Sequence, residues 1–114
     1  MIRYCLPVDE ATAMMGDARA LALAAQPHAS PYGNPLGEPM DPVGLAQAQE
    51  RARIRLREAV QEGWLGIPMA VRLAAAHAVV VERVALGDDA PLEVLLGAHR
   101  RLLLRAQRRW CWRA

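Results

Sequence analysis

The sequence predicts an all-α fold: a small four-helix bundle with a long Pro/Gly-rich loop between the first and second helices. Three observations carry this expectation. The composition is 54% hydrophobic but only 4% aromatic, with no Phe. The core must therefore be built from Leu, Val, Ala and Met, and the abundant Ala and Leu are strong helix formers. Apolar residues recur at i, i+3, i+4 and i+7 in successive windows, the pattern of one buried helix face. Pro and Gly punctuate those windows, Pro at the start and Gly just past the end. The 114 residues read as a single helical domain, 1–114. A chain of this size can bury roughly two thirds of its unfolded surface without metal or disulfides.

Residues 1–8 read as an extended arm, because Pro7 stops a helix from running through it. Asp9 is the expected N-cap of a first helix over 9–25, whose inner stripe is Ala11, Met14, Met15, Ala18, Leu21, Ala22 and Ala25. Gly16 weakens its middle by about 1 kcal/mol relative to Ala. In the linker 26–41, Pro27, Pro31, Pro35 and Pro39 recur every fourth residue, with Gly33 and Gly37 between them. That spacing forbids both helix and strand. The segment is expected to be a tether that lets the first helix cross the bundle, a functional loop being the alternative, with Tyr32, Leu36 and Met40 as candidate anchors; His28 carries no signal.

Asp41-Pro42 opens a second helix over 42–62, with Asp as N-cap and Pro at the first position. Leu45, Ala48, Ala52, Leu56, Ala59 and Val60 form its inner stripe. Its arginines split into two flanks, with Glu50 placed to pair Arg53 and Glu58 placed to pair Arg55. Ile54 falls on the outer side. After Gly63, the residues Trp64, Leu65 and Ile67 are expected to fold back as an apolar plug.

The third helix, 68–86, looks central. Arg72, Glu82 and Arg83 cluster on one side, with Ala75, Val79 and Leu86 among them. The rest of its circumference is apolar, so neighbours should cover it on more than one side. Gly87 ends it, and Asp88 or Asp89 should cap a last helix over 90–112. The inner stripe of that helix is Leu92, Leu95, Leu96, Leu102, Leu103, Ala106 and Trp110. The excess of apolar surface on the third helix, with Ala74 to Ala76 permitting close approach, predicts a homo-oligomer, with a dimer as the favoured form.

Net charge is +2, and all 14 basic residues are Arg. The charge is uneven: residues 1–50 hold two Arg against six carboxylates, and residues 51–114 hold twelve against six. Such asymmetry predicts either an anionic partner for the second half or packing of one half on the other. Cys5 and Cys111 form no C-x-x-C pair and suggest reduced thiols. The opening MIRYCLPVDE has no apolar signal core, and no apolar run reaches membrane-spanning length. The expectation is a cytoplasmic protein with no membrane partner.

Enzyme signatures are lacking: no phosphate loop, no zinc-type spacing, no nucleophile elbow, and only Thr12 and Ser30 as hydroxyls of that kind. The carboxylate pairs Asp9-Glu10 and Asp88-Asp89 read as helix caps. A helix-turn-helix across the second and third helices is disfavoured, because the would-be reading helix opens Met69-Ala-Val-Arg-Leu-Ala-Ala with Arg72 alone as a contact. The strongest functional feature is a stripe on the last helix, Arg101, Arg105 and Arg108 with Arg109 beside them and Trp112 in line. No acid follows Glu93 to neutralise it. Such a stripe can hold phosphates, with the Trp stacking on a base, or an acidic protein surface. A solvated face favoured by the helix dipole is the plain alternative.

The sequence therefore predicts a non-enzymatic binding or assembly module, without cofactor, that presents its basic last helix to nucleic acid or to an acidic protein. The alternative is an adaptor or inhibitor acting through apolar helix faces. One further pattern stands apart. His77 and His99 lie on the apolar faces of the last two helices, each ten residues from the turn between them. In an antiparallel pair they should meet as a neutral, hydrogen-bonded core pair. A metal site there would need a third ligand from Glu10, Asp17 or Cys111.

Overall fold

In the computed structural model the structure describes residues 5–27 and 38–111, with side chains through Gln107. The fold is all-α, with five helices among the described residues: α1 (Val8–Ala24), α2 (Pro42–Gln61), α3 (Ile67–Ala85), α4 (Leu92–Leu95) and α5 (Gly97–Cys111). No strand and no helix long and apolar enough to cross a membrane occurs among them.

The expected single last helix is two. It breaks at Leu96, where φ is −93° and ψ 5°, immediately before Gly97. Glycine is the weakest helix former after proline and a common kink site. Leu95 and Leu96 are both buried, so the kink turns two consecutive leucines into the core.

Helix ends follow local chemistry, not always at the expected residue. Asp41 caps α2, its carboxylate accepting the Gly44 N–H at 2.9 Å. At α1 the N-cap is Pro7 in extended conformation, not Asp9. Asp9 and Glu10 lie in the first turn instead, where they still face the positive end of the helix dipole. At α4 the N-cap is Pro91, with no side-chain cap. Asp88 instead fastens the preceding turn, accepting the Ala90 N–H at 2.9 Å and the Arg83 guanidinium at 2.7 Å. Both bonds favour its charged form and lower its pKa. Gly63 and Gly87 take φ of +77° and +88° and let the chain reverse after α2 and α3. The bonds Trp64 N–H to Ala59 C=O and Asp88 N–H to Arg83 C=O close each end in the Schellman manner.

The core lies around α1, which packs on α2, α3 and α5. Ala11, Met14, Ala18, Leu21 and Ala22 of α1 are buried. So are Ala48, Ala52, Leu56 and Ala59 of α2. Alanine on both sides permits close approach of the helices. The expectation that α3 is the covered, central helix is corrected. Only Leu73, Val80 and Val84 of α3 are buried, while Ala74 and Ala78 are exposed and Ile67, Val71, Val79 and Leu86 stand in solvent. The plug before α3 is carried by Leu65, which is buried, and by half-buried Trp64; Ile67 points outward.

One charge enters the core. Asp17, 9% exposed, meets the Arg55 Nε at 2.5 Å, and Glu10 lies 3.7 Å from the same guanidinium. Arg55 thus crosses to α1 rather than pairing with Glu58 on its own helix, and the carboxylate bond raises its pKa. Glu50 does pair with Arg53.

The linker ends meet: the Met40 N–H donates to the Gln26 carbonyl at 2.9 Å, and Pro27 bridges Pro39. Met40 is exposed, and His28, Pro31, Tyr32, Gly33, Pro35, Leu36 and Gly37 lie outside the described residues. Cys5 is disulfide-bonded, which corrects the expectation of reduced thiols. The reason is the packing of the arm. The Leu6 N–H donates to the Ala106 carbonyl at 3.5 Å, which lays the N-terminal arm along α5. Sequence spacing gives no sign of that proximity. Cys111 is the other cysteine of the chain, and its side chain lies outside the described residues.

Two stability predictions follow from this packing. A Cβ built on Gly16 meets nothing within 4 Å, so Gly16→Ala should stabilise by about 0.5–1 kcal/mol, read as a higher melting temperature. Asp17→Asn should destabilise by about 1–3 kcal/mol in urea denaturation, because it leaves a partly buried guanidinium without its close partner. Replacing both partners together, Asp17→Leu with Arg55→Met, should recover most of that loss.

Candidate partner-binding face and buried histidine pair

The arginines sort into two groups by their partners. Arg53, Arg55 and Arg83 each hold a carboxylate. Arg101 and Arg105, the described members of the expected stripe, are exposed on α5, and neither is in an ion pair among the described residues. One helical turn separates them, so their side chains leave the same side of the helix. The side chains of Arg108 and Arg109, and the residue Trp112, lie outside the described residues, as does the side chain of Trp110.

Two arginines that the stripe pattern misses stand near this face. Arg100, exposed on α5, and Arg19, exposed on α1, line one cavity of about 360 Å³ with Met15, Gly16, Leu92, Glu93 and Leu96. A second cavity of about 220 Å³ continues from it, sharing Met15 and Arg100 and reaching Val8, Thr12 and Leu103. Together they form a groove between α1 and the α4–α5 segment with an apolar floor, edged by the guanidiniums of Arg19 and Arg100 and the carboxylate of Glu93. Arg100 is adjacent in sequence to Arg101 and therefore about 100° around the helix from it. A search along one line of the wheel passes over it. Arg19 is the one basic residue of α1, and only folding brings it to α5.

The two histidines meet, as equal distance from the turn predicts. Their ring centroids are 4.7 Å apart and the planes 25° from parallel. The contact is a stack, not the hydrogen-bonded pair expected. Both ring nitrogens of His99, which is 1% exposed, lack a hydrogen-bond partner. Burial pushes the pKa of His77 down to about 4. Burial does the same for His99, to about 4, with His77 adding a smaller repulsive effect. Glu10 and Asp17, considered above as third ligands, are held by Arg55 instead. Among the described residues no group of three or more His, Cys, Asp or Glu side chains converges. The arrangement stores two neutral imidazoles in the core.

That arrangement sets a pH dependence. A ring whose folded pKa lies below its unfolded value, about 6.5, takes up its proton more readily in the unfolded chain. The stability from the neutral pair is therefore fully present above about pH 6.5 and is lost as pH falls toward about 4. His99→Leu should remove part of this dependence and leave stability at pH 7 unchanged or higher, since two unpartnered buried nitrogens disappear. Urea denaturation at pH 5 and pH 7 measures it. An unchanged difference in a His77→Gln, His99→Gln variant would mean that other groups cause the dependence.

No protein-family model, curated protein or solved structure matches this chain, so its function rests on what these residues can do.

Proposed function

We propose that this protein is a non-enzymatic binding module, a four-helix bundle in which α4 and α5 act as one kinked leg, and that it presents the basic side of α5 to an anionic partner. The observation that carries the reading is the set of exposed arginines, Arg100, Arg101 and Arg105, without carboxylate partners among the described residues. A guanidinium left unpaired on the surface keeps its planar fork of donors free for carboxylate or phosphate.

An acidic protein surface fits better than nucleic acid. The groove between α1 and α5 offers Met15, Leu96 and Leu103 beside Arg19 and Arg100, a combination suited to an amphipathic acidic helix. Nucleic acid would be held by stacking and phosphate contacts, and an apolar floor adds little to those. The disulfide at Cys5 also fits an oxidising compartment better than the reducing cytoplasm.

Replacing Arg101 and Arg105 with Gln, together with Arg108, should leave the fold and melting temperature intact and weaken partner capture at least tenfold. A lowered melting temperature would instead assign these arginines to structure. Titration of a labelled acidic amphipathic peptide and a labelled DNA duplex over a range of salt separates the two partners. Phosphate binding falls log-linearly and steeply with salt, whereas a peptide seated on an apolar floor loses much less.

A further inference from the structure

The outward face of α3 is built like an interface with a copy of itself. Ile67, Val71, Val79 and Leu86 are between 52% and 73% exposed, with Ala75 and Ala78 exposed between them. Exposed apolar area of this extent on one helix marks a contact surface rather than scattered solvent-facing residues. A standard stable interface takes about 800 Å² from each partner, and this face supplies one apolar strip, from Ile67 to Leu86, along the whole of α3.

The two charges on this face decide what covers it. Arg72 and Glu82 are both exposed, and neither forms an ion pair among the described residues. They lie five residues to either side of His77, about 7.5 Å each along the axis. We propose that two copies of this chain associate through α3, antiparallel, about a two-fold axis at the level of His77. In that register Arg72 of each copy meets Glu82 of the other, giving two identical ion pairs. The same register sets Ala75 against Val79 and Pro68 against Leu86, small or flat residues against large ones. A parallel pair would instead place Glu82 against Glu82 and Arg72 against Arg72, which repel. The interface is isologous and closes on itself, as a two-fold dimer requires.

Light scattering after size exclusion at about 100 μM should give twice the 12.5 kDa chain mass. Val79→Glu should give a monomer with unchanged helicity, since it puts a charge into the apolar centre. Arg72→Glu and Glu82→Arg should each weaken association about fivefold or more, and the double variant that swaps the charges should restore it. A parallel pair would show no such rescue, and its absence overturns the register. A monomeric wild type overturns the dimer. If Val79→Glu then also lowers the melting temperature, the face is covered by a segment of the same chain.

Discussion

Asp17 carries a carboxylate into a face of α1 that is otherwise methionine, alanine and leucine, and such a charge is tolerated only where a partner meets it. Arg55 of α2 supplies the partner at 2.5 Å, with Glu10 behind it at 3.7 Å. This contact fixes the height and rotation of α2 against α1. A slide of one turn, about 5.4 Å, would leave both charges unmatched beside apolar neighbours. The alanines around it reinforce the constraint: Ala48 and Ala52 of α2 pack with Leu21 of α1, so the helix pair has little bulk to rearrange. Once α1 and α2 are locked, α3 and the α4–α5 leg close over the other sides of α1.

Charge also organises what is left outside. The acidic first half and the basic second half, uneven in sequence, neutralise each other only in part. Asp17 and Glu10 take one guanidinium, Glu50 and Asp88 take one each within their own surroundings, and Arg100, Arg101 and Arg105 of α5 remain in solvent. The two faces that lack partners differ in kind. The face of α5 is cationic beside an apolar groove, while that of α3 is apolar with one charge of each sign. Because these surfaces lie on different helices, the proposed self-association and the proposed partner binding would not compete for the same residues.

The histidine stack joins α3 to α5. Its place was legible from register: each histidine lies ten residues from the turn after α3, and the break at Leu96 does not take His99 out of reach of His77. The rings stack rather than hydrogen-bond, and neither nitrogen of His99 finds a polar partner. Burial then keeps both rings neutral at ordinary pH.

The sequence by itself determined α1, α2 and α3, but not the break of the last helix at Leu96. Asp41-Pro42, Gly63 and Gly87 set α2 and the ends of α2 and α3, because caps and left-handed turns depend on a few adjacent residues. It also determined the inner stripes of α1 and α2 and the meeting of His77 with His99, since helical period and distance from a turn are local quantities. Asp17, considered from the sequence only as a third metal ligand, lies in line with Met14 and Leu21, and its place in the core became visible only when the fold set Arg55 against it. Only the tertiary structure decided which helix is central, which partner Arg55 takes, and that Cys5 closes a disulfide. Each of those depends on segments far apart in the chain, and an apolar circumference such as that of α3 says that cover is needed without saying whether the same chain supplies it.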